Sequence, residues 1–316
     1  MSTSSDIPTT LAEAWSLWLA YRSQGTRPLR ASTLADYRSI YARHIGPALG
    51  PSALGDLDGL TIARFVIALD SAGVSPKRLS NILVPLRACL RWHHRIGALP
   101  PDPSAWFDSS APAADERCVL SIAKIELLLA ALPSEYRPFV AFAAYVGTRA
   151  GEQRALTWGD IDLERGLARI DKTYYRNRLQ RSTKTGHDRV VPIPPHVVEL
   201  LAGWRTTCPR SRLDLVFPSR AGTPLDLDTF RTRVFKPAVA RARLPPGVRF
   251  HDLRHTAASL YLSSGATVRD VMAICGWRQL ATAQRYLHPT DELSTAAERL
   301  SATRENALAG TRGDGR

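Results

Sequence analysis

The sequence lacks most of what holds small secreted proteins or membrane proteins together. Its 316 residues include four cysteines, Cys89, Cys118, Cys208 and Cys275. They are widely scattered with no CxxC pair, which excludes a dense disulfide framework and argues against a structural zinc site. The default compartment for such a chain is a reducing cytoplasm. No stretch approaches the roughly 20 apolar residues that a membrane helix needs. The opening MSTSSDIPTT has neither a basic stretch nor an apolar core, so no secretory signal is expected. No internal repeat and no sustained heptad pattern is present. Core-forming side chains are not scarce, however: 44% of residues are hydrophobic, and the length suits two domains better than one very large one.

Negative charge is the scarcer sign. Lys and Arg number 42 against 29 Asp and Glu, a formal net charge of +13. Such a field draws polyanions, so nucleic acid is the first partner expected and an anionic membrane surface the second. The excess is uneven. Residues 1–108 carry +3 and residues 109–316 carry +10, and the stretch 165–189 alone holds eight basic and two acidic residues.

The first hundred residues read as helices. Thr10-Leu-Ala-Glu13 fits a capping box, in which hydroxyl and carboxylate each satisfy a free backbone donor, and Leu11, Ala14, Trp15, Trp18 and Leu19 follow at helical spacing. Further helices are expected from Ser32 to Ile45, stopped by Gly46-Pro47, from Thr61 to Ser71, and from Ser75 to Ile96 with Pro85 as a candidate kink. The Pro- and Ala-rich stretch that follows reads as a linker at 109–116. The second part is expected to open with helices near 121–132 and 135–146. Two short strands at 167–171 and 189–193 then flank a basic stretch that turns at Lys184-Thr-Gly. Helices return near 195–203, 226–241, 251–264, 267–275 and 279–287, with Gly265 and Gly276 as stops. The expected fold is therefore mostly α with a small β-sheet, in two domains: 1–108 helical and 117–290 mixed, followed by a C-terminal helix or tail at 291–316.

Four separated pieces share one theme, groups suited to holding a phosphodiester. Gly147-Thr-Arg149 places a guanidinium, whose rigid fork of donors matches two phosphate oxygens, just after a helix stop. Thr-Lys184-Thr-Gly puts a lysine in a turn. His251-Asp-Leu-Arg254-His255 sets His251 and Arg254 on one side of a helix, with His255 expected to point elsewhere; a zinc pair of His251 and His255 lacks a partner ligand nearby. The fourth piece is Cys-Gly-Trp277 followed by Gln-Arg-Tyr286. A tyrosine, with its ordinary pKa near 10, is a poor nucleophile unless a cationic pocket and a base favour its phenolate. Each piece alone has an ordinary explanation as a surface cation, a solvated turn or a core aromatic.

Together and in this order they resemble the tyrosine recombinases, the family of phage integrases and of the Xer and Cre recombinases. Trp277 precedes Tyr286 by nine residues and Arg254 precedes it by thirty-two, both as the family pattern has it. The match spans about 117–290, and the helical first domain is similar to the family's core-binding domain. The first arginine is flanked by Ala150 and Gln153 where aliphatic residues are commoner, and Trp277 stands where His is more frequent.

The resemblance implies a two-domain recombinase that cuts and rejoins DNA through a 3′-phosphotyrosine, with no cofactor, metal or ATP. Arg149 and Arg254 would clamp the scissile phosphate, with Trp277 adding one neutral donor. Tyr286 would attack phosphorus, Lys184 would protonate the departing 5′ oxygen, His251 would take or share the nucleophile's proton, and Glu152 would orient its neighbours. Double-stranded DNA, a tetramer of copies assembled on it and accessory DNA-bending proteins are the implied partners. The short lead into the first helix leaves little room for the separate arm-binding domain of larger integrases. Integration or excision of a mobile element, resolution of dimers as by Xer proteins, transposition, and an inactive DNA-binding relative all stay open.

Overall fold

The computed structural model describes residues 8–26, 28–99, 106–107, 118–175, 178–180, 188–284 and 286. They form the expected fold class, mostly helix with a small antiparallel sheet, in two compact units, Met1–Asp115 and Glu116–Arg316. The expected linker at 109–116 and the segment 291–316 lie outside the described residues. Among the described residues, no helix is long and apolar enough to cross a membrane.

Among its described residues the first unit is built of helices. Helix α1 (Leu11–Gln24) starts at the anticipated capping box: Glu13 N–H donates to Thr10 Oγ1 and Thr10 N–H to Glu13 Oε2, both at 3.3 Å. Its apolar stripe buries Leu11, Trp15 and Trp18 against a core that includes Ile45, Ile62, Leu86 and Leu90. Helix α2 (Ala31–Ile40) does not stop before Gly46-Pro47. It passes through a π-helical turn, Tyr41–Ile45, into α3 (Gly46–Leu49). The reason is steric. In an α-helix the proline ring meets the carbonyl four residues back; the wider turn, in which Gly46 N–H reaches Tyr41 O, makes room for it. Helices α4 (Gly59–Ser71) and α5 (Pro76–Arg95) complete the unit, and α5 carries Pro85 buried within it.

The second unit opens with α6 (Ile122–Ala131), α7 (Arg137–Val146) and the short α8 (Ala150–Arg154). Five short strands follow among the described residues: β1 (Ile161–Asp162), β2 (Leu167–Ile170), β3 (Thr173–Tyr175), β4 (Arg178–Gln180) and β5 (Arg189–Pro192). Strands β1, β2 and β5 form one antiparallel sheet in that order, and β3 pairs with β4. In the β2–β5 ladder Ala168 faces Val191 and Ile170 faces Arg189. Strand parity fixes the consequence: Val190 and Pro192 are exposed, Val191 is buried, and Arg189 points inward with it. Helices α9 (Pro195–Thr207), α10 (Leu227–Phe230), α11 (Lys236–Arg241), α12 (Asp252–Ser263), α13 (Val268–Cys275) and α14 (Leu280–Gln284) finish the unit. A second π turn, Arg231–Phe235, precedes Lys236-Pro237, repeating the solution at Pro47.

The core that seats α7 against α12 is aromatic. Phe139 stacks on Phe250 with centroids 5.0 Å apart and meets Phe217 and Phe230 edge-on. Burying each such ring contributes about 1.5–3 kcal/mol. This packing sets the end of α7, Gly147, beside α12, whose first turn carries Arg254.

One buried base in the first unit generates a prediction. His93 is fully buried, its Nδ1 bonds the Cys89 carbonyl at 3.0 Å, and its Nε2 has no partner among the described residues. Burial pushes its pKa down, so the unfolded chain binds the proton more readily. Stability should therefore be highest above pH 6.5 and fall as pH drops below it. Denaturant titrations at pH 7.5, 6.5 and 5.5 should show a slope that His93→Leu makes shallower, by up to about 1.4 kcal/mol per pH unit.

Candidate active site

Two glycines set the frame. Helix α7 ends at Gly147 and α13 at Gly276, both in the left-handed conformation, with φ of 76° and 61°. At Gly276 the closure is a Schellman turn: the N–H groups of Gly276 and Trp277 bond the Ala273 and Met272 carbonyls at 3.2 and 2.9 Å. A β-carbon on Gly276 would sit 3.1–3.3 Å from the Arg189 guanidinium, and one on Gly147 would sit 3.1 Å from the Ala257 methyl. These turns release Thr148-Arg149 and Trp277 from their helices.

Three guanidiniums converge on the helix ends. Arg254, 2% exposed, donates from Nη1 to Gly147 O at 2.8 Å and from Nη2 to Cys275 O. Arg149 donates from Nη2 to Gly276 O at 3.3 Å, and Arg189 from Nε to Ile274 O at 2.9 Å. The last carbonyls of a helix have no partner within it and lie at the negative end of its dipole, so cations settle there. Between the arginines lies Glu152, 1% exposed. Arg149 holds it through Nη1 at 2.7 Å and through its own N–H at 3.0 Å, and Arg189 holds it through Nη2 at 2.6 Å and Nη1 at 3.3 Å. Burial alone would raise the Glu152 pKa; the bonds and charge of Arg189, with the charges of Arg149 and Arg254, overcome it and leave the carboxyl at about 2. Burial pushes Arg254 down to about 10, which leaves it a cation at neutral pH.

Gln153 stands where an aliphatic side chain is commoner, and it is completely buried. Its amide bonds the Phe139 carbonyl and accepts from Thr148 Oγ1, so the position is satisfied and ties α8 to α7. The start of α12 is held by buried Asp252, which accepts from Arg249 N–H at 2.8 Å. His251, exposed at that helix start, has its pKa pushed down by desolvation and by the charges of Arg254, Arg149 and Arg249, against Asp252.

The aromatic end of the site is continuous with this cluster. Arg254 Cζ lies 5.7 Å from the Trp277 ring centre, and Trp277 stacks on Tyr286 with centroids 5.2 Å apart and planes 12° from parallel. Tyr286, 8% exposed, packs in a small cluster with Ala258, Val271 and Cys275. Its hydroxyl is hydrogen-bonded to His255 Nδ1, and His255 in turn meets His251 edge-on at 5.0 Å. Of the residues singled out from sequence, Arg149, Glu152, His251, Arg254, Trp277 and Tyr286 thus come together in one connected set. Lys184 lies outside the described residues. Two members were not singled out as site residues. Arg189 could have been found from strand parity, and His255 from its spacing of four from His251, which places both on one helix face.

Residues 119–292 match the model of the phage integrase family. A tyrosine recombinase XerC of Xanthomonas campestris pv. campestris is 30% identical over 271 residues, 83% of this chain and 80% of that protein. A putative prophage phiRv2 integrase of Mycobacterium tuberculosis is 26% identical over 83% of this chain and 71% of its own length. Among solved structures, the Tn1549 transposon integrase in complex with a circular intermediate DNA has a TM-score of 0.79 at 16% identity, covering 92% of this chain and 99% of that one. A lambda integrase dimer bound to a core site has a TM-score of 0.70 at 19% identity, covering 86% and 97%. These last two establish likeness of fold.

The buried carboxylate yields two expectations. Glu152→Gln leaves guanidiniums buried against a neutral group and should lower unfolding free energy at pH 7 by about 3–5 kcal/mol, measured by denaturant titration. A carboxyl held at about 2 in the folded state gives stability that is complete above its unfolded pKa near 4.5 and is lost as pH falls toward 2. The parent should therefore show an acid-unfolding limb in that window that is flatter in Glu152→Gln.

Proposed function

The chain belongs to the phage integrase family, and on that footing we propose that it is a site-specific DNA recombinase, cleaving and rejoining strands through a phosphotyrosine intermediate. The observation that carries this reading is the convergence of Glu152-held arginines and Arg254 on the ends of α7 and α13, with Trp277 beside Arg254 and stacked on Tyr286.

Each side chain then has a task its chemistry suits. Tyr286 attacks the scissile phosphorus, giving a 3′-phosphotyrosine and a free 5′-hydroxyl. Arg149 and Arg254 offer preset donors to the non-bridging oxygens as negative charge builds there. Glu152 fixes Arg149 by two bonds, so little reorganisation is needed when the phosphate arrives. Trp277 supplies an indole N–H, a donor that carries no charge. Lys184 protonates the departing 5′ oxygen. His251 is the histidine that the family pattern has take or share the nucleophile's proton, and burial with the charges of Arg254, Arg149 and Arg249 pushes its pKa down. The covalent intermediate retains the bond energy, and rejoining needs neither ATP nor metal.

Residues 1–108 would form the core-binding domain, 117–290 the catalytic domain and 109–116 a linker that lets the two close around duplex DNA in the cytoplasm. Strand exchange between two duplexes requires four such sites, hence a tetramer on DNA, with the segment 291–316 docking on a neighbouring copy and accessory DNA-bending proteins assisting. Integration or excision of a mobile element is the reaction favoured. Dimer resolution, as the XerC likeness suggests, uses the same chemistry.

A nicked suicide duplex tests the reading. The parent protein should form a covalent adduct that survives a denaturing gel and forms equally well in EDTA, whereas Tyr286→Phe should bind the duplex and form none. An adduct with the Phe variant would remove Tyr286 as nucleophile. Arg149→Ala should slow adduct formation by about 10²–10³-fold, and DNA affinity should fall steeply with added salt.

A further inference from the structure

We infer that His255 is the catalytic residue that takes the phenol proton of Tyr286. This rests on the recombinase reading and assigns within it a role that the family pattern places on His251.

Geometry separates the two histidines. His255 Nδ1 is hydrogen-bonded to the Tyr286 hydroxyl, and the two rings lie 5.7 Å apart, 29° from parallel. His251 is four residues earlier on the same face of α12, is exposed, and meets His255 edge-on. The phenol is buried among Ala258, Val271, Cys275 and the Trp277 ring. An attacking phenol in such a water-poor place needs a proton acceptor within hydrogen-bond reach, and an imidazole, with an ordinary pKa near 6.5, is the side chain best matched to neutral pH. The bond to Tyr286 runs from Nδ1, so the neutral ring that accepts is the one carrying its proton on Nε2.

The step balances as follows. Tyr286 Oη forms the bond to phosphorus while its proton passes to the Nδ1 lone pair, and His255 becomes an imidazolium. The bond from phosphorus to the 5′ oxygen breaks, and that oxygen takes a proton from Lys184, the acid assigned above. On rejoining, the 5′-hydroxyl attacks, its proton returns to Lys184, and His255 gives its proton back to the departing phenolate.

Chemical rescue tests the assignment. Single-turnover adduct formation would be followed on a nicked duplex built from the attachment sequence found by footprinting. His255→Ala should slow it by about 10²-fold or more with DNA affinity unchanged, and added imidazole should restore at least a tenth of the parent rate. A rate within twofold of the parent, or a slow rate that imidazole leaves untouched, overturns the assignment. Without DNA, the His255 ring followed by NMR should titrate at a different pH in Tyr286→Phe than in the parent, with His251 shifted less; an unmoved His255 titration also overturns it. A parent protein that forms no adduct brings down the recombinase reading as a whole, so the two failures are distinguishable.

Discussion

A single buried carboxylate holds this site together. Guanidinium groups crowded around two helix ends would repel one another in a medium that screens poorly, and Glu152 sits where it can bond two of them and attract the third. Its own burial is unfavourable in isolation and becomes tenable only because Arg149 and Arg189 reach it from different elements, the cap of α8 and the strand β5. Charge and carboxylate therefore require each other. One negative charge in place lets three guanidiniums share a small volume.

Arginine is the residue type that this arrangement demands. Each of the three guanidiniums spends some of its donors on main-chain carbonyls, and the planar fork lets Arg149 and Arg189 also bond Glu152. A lysine in place of Arg254 could not reach Gly147 and Cys275 with comparable geometry. The ends of α7 and α13 turn carbonyls that would otherwise be unsatisfied into the anchors of the positive groups.

Much of this was legible in the amino-acid order because it depends on local rules. The capping box at Thr10, the helix stops at Gly147 and Gly276, and the His251–Arg254 spacing each follow from a few neighbouring residues, and the family pattern linked Arg149, Glu152, Trp277 and Tyr286 across the chain. What escaped was set by tertiary context. Gly46-Pro47 looks like a helix break, yet a widened turn carries the helix through it. The β3–β4 hairpin lay in a stretch that reads as polar and basic, with no alternation to mark it. Strand parity puts Arg189 on the inward face and helical spacing puts His255 beside His251, but that these faces meet the cluster follows only from the β2–β5 pairing and from the contact of Tyr286 with His255.

Because the arginines rest on carbonyl oxygens, their footing is indifferent to which side chains Ile274 and Cys275 carry. Substitution at those positions can alter packing while every anchoring oxygen stays where the helix puts it. A site supported in this manner can outlast extensive drift in the residues that surround it.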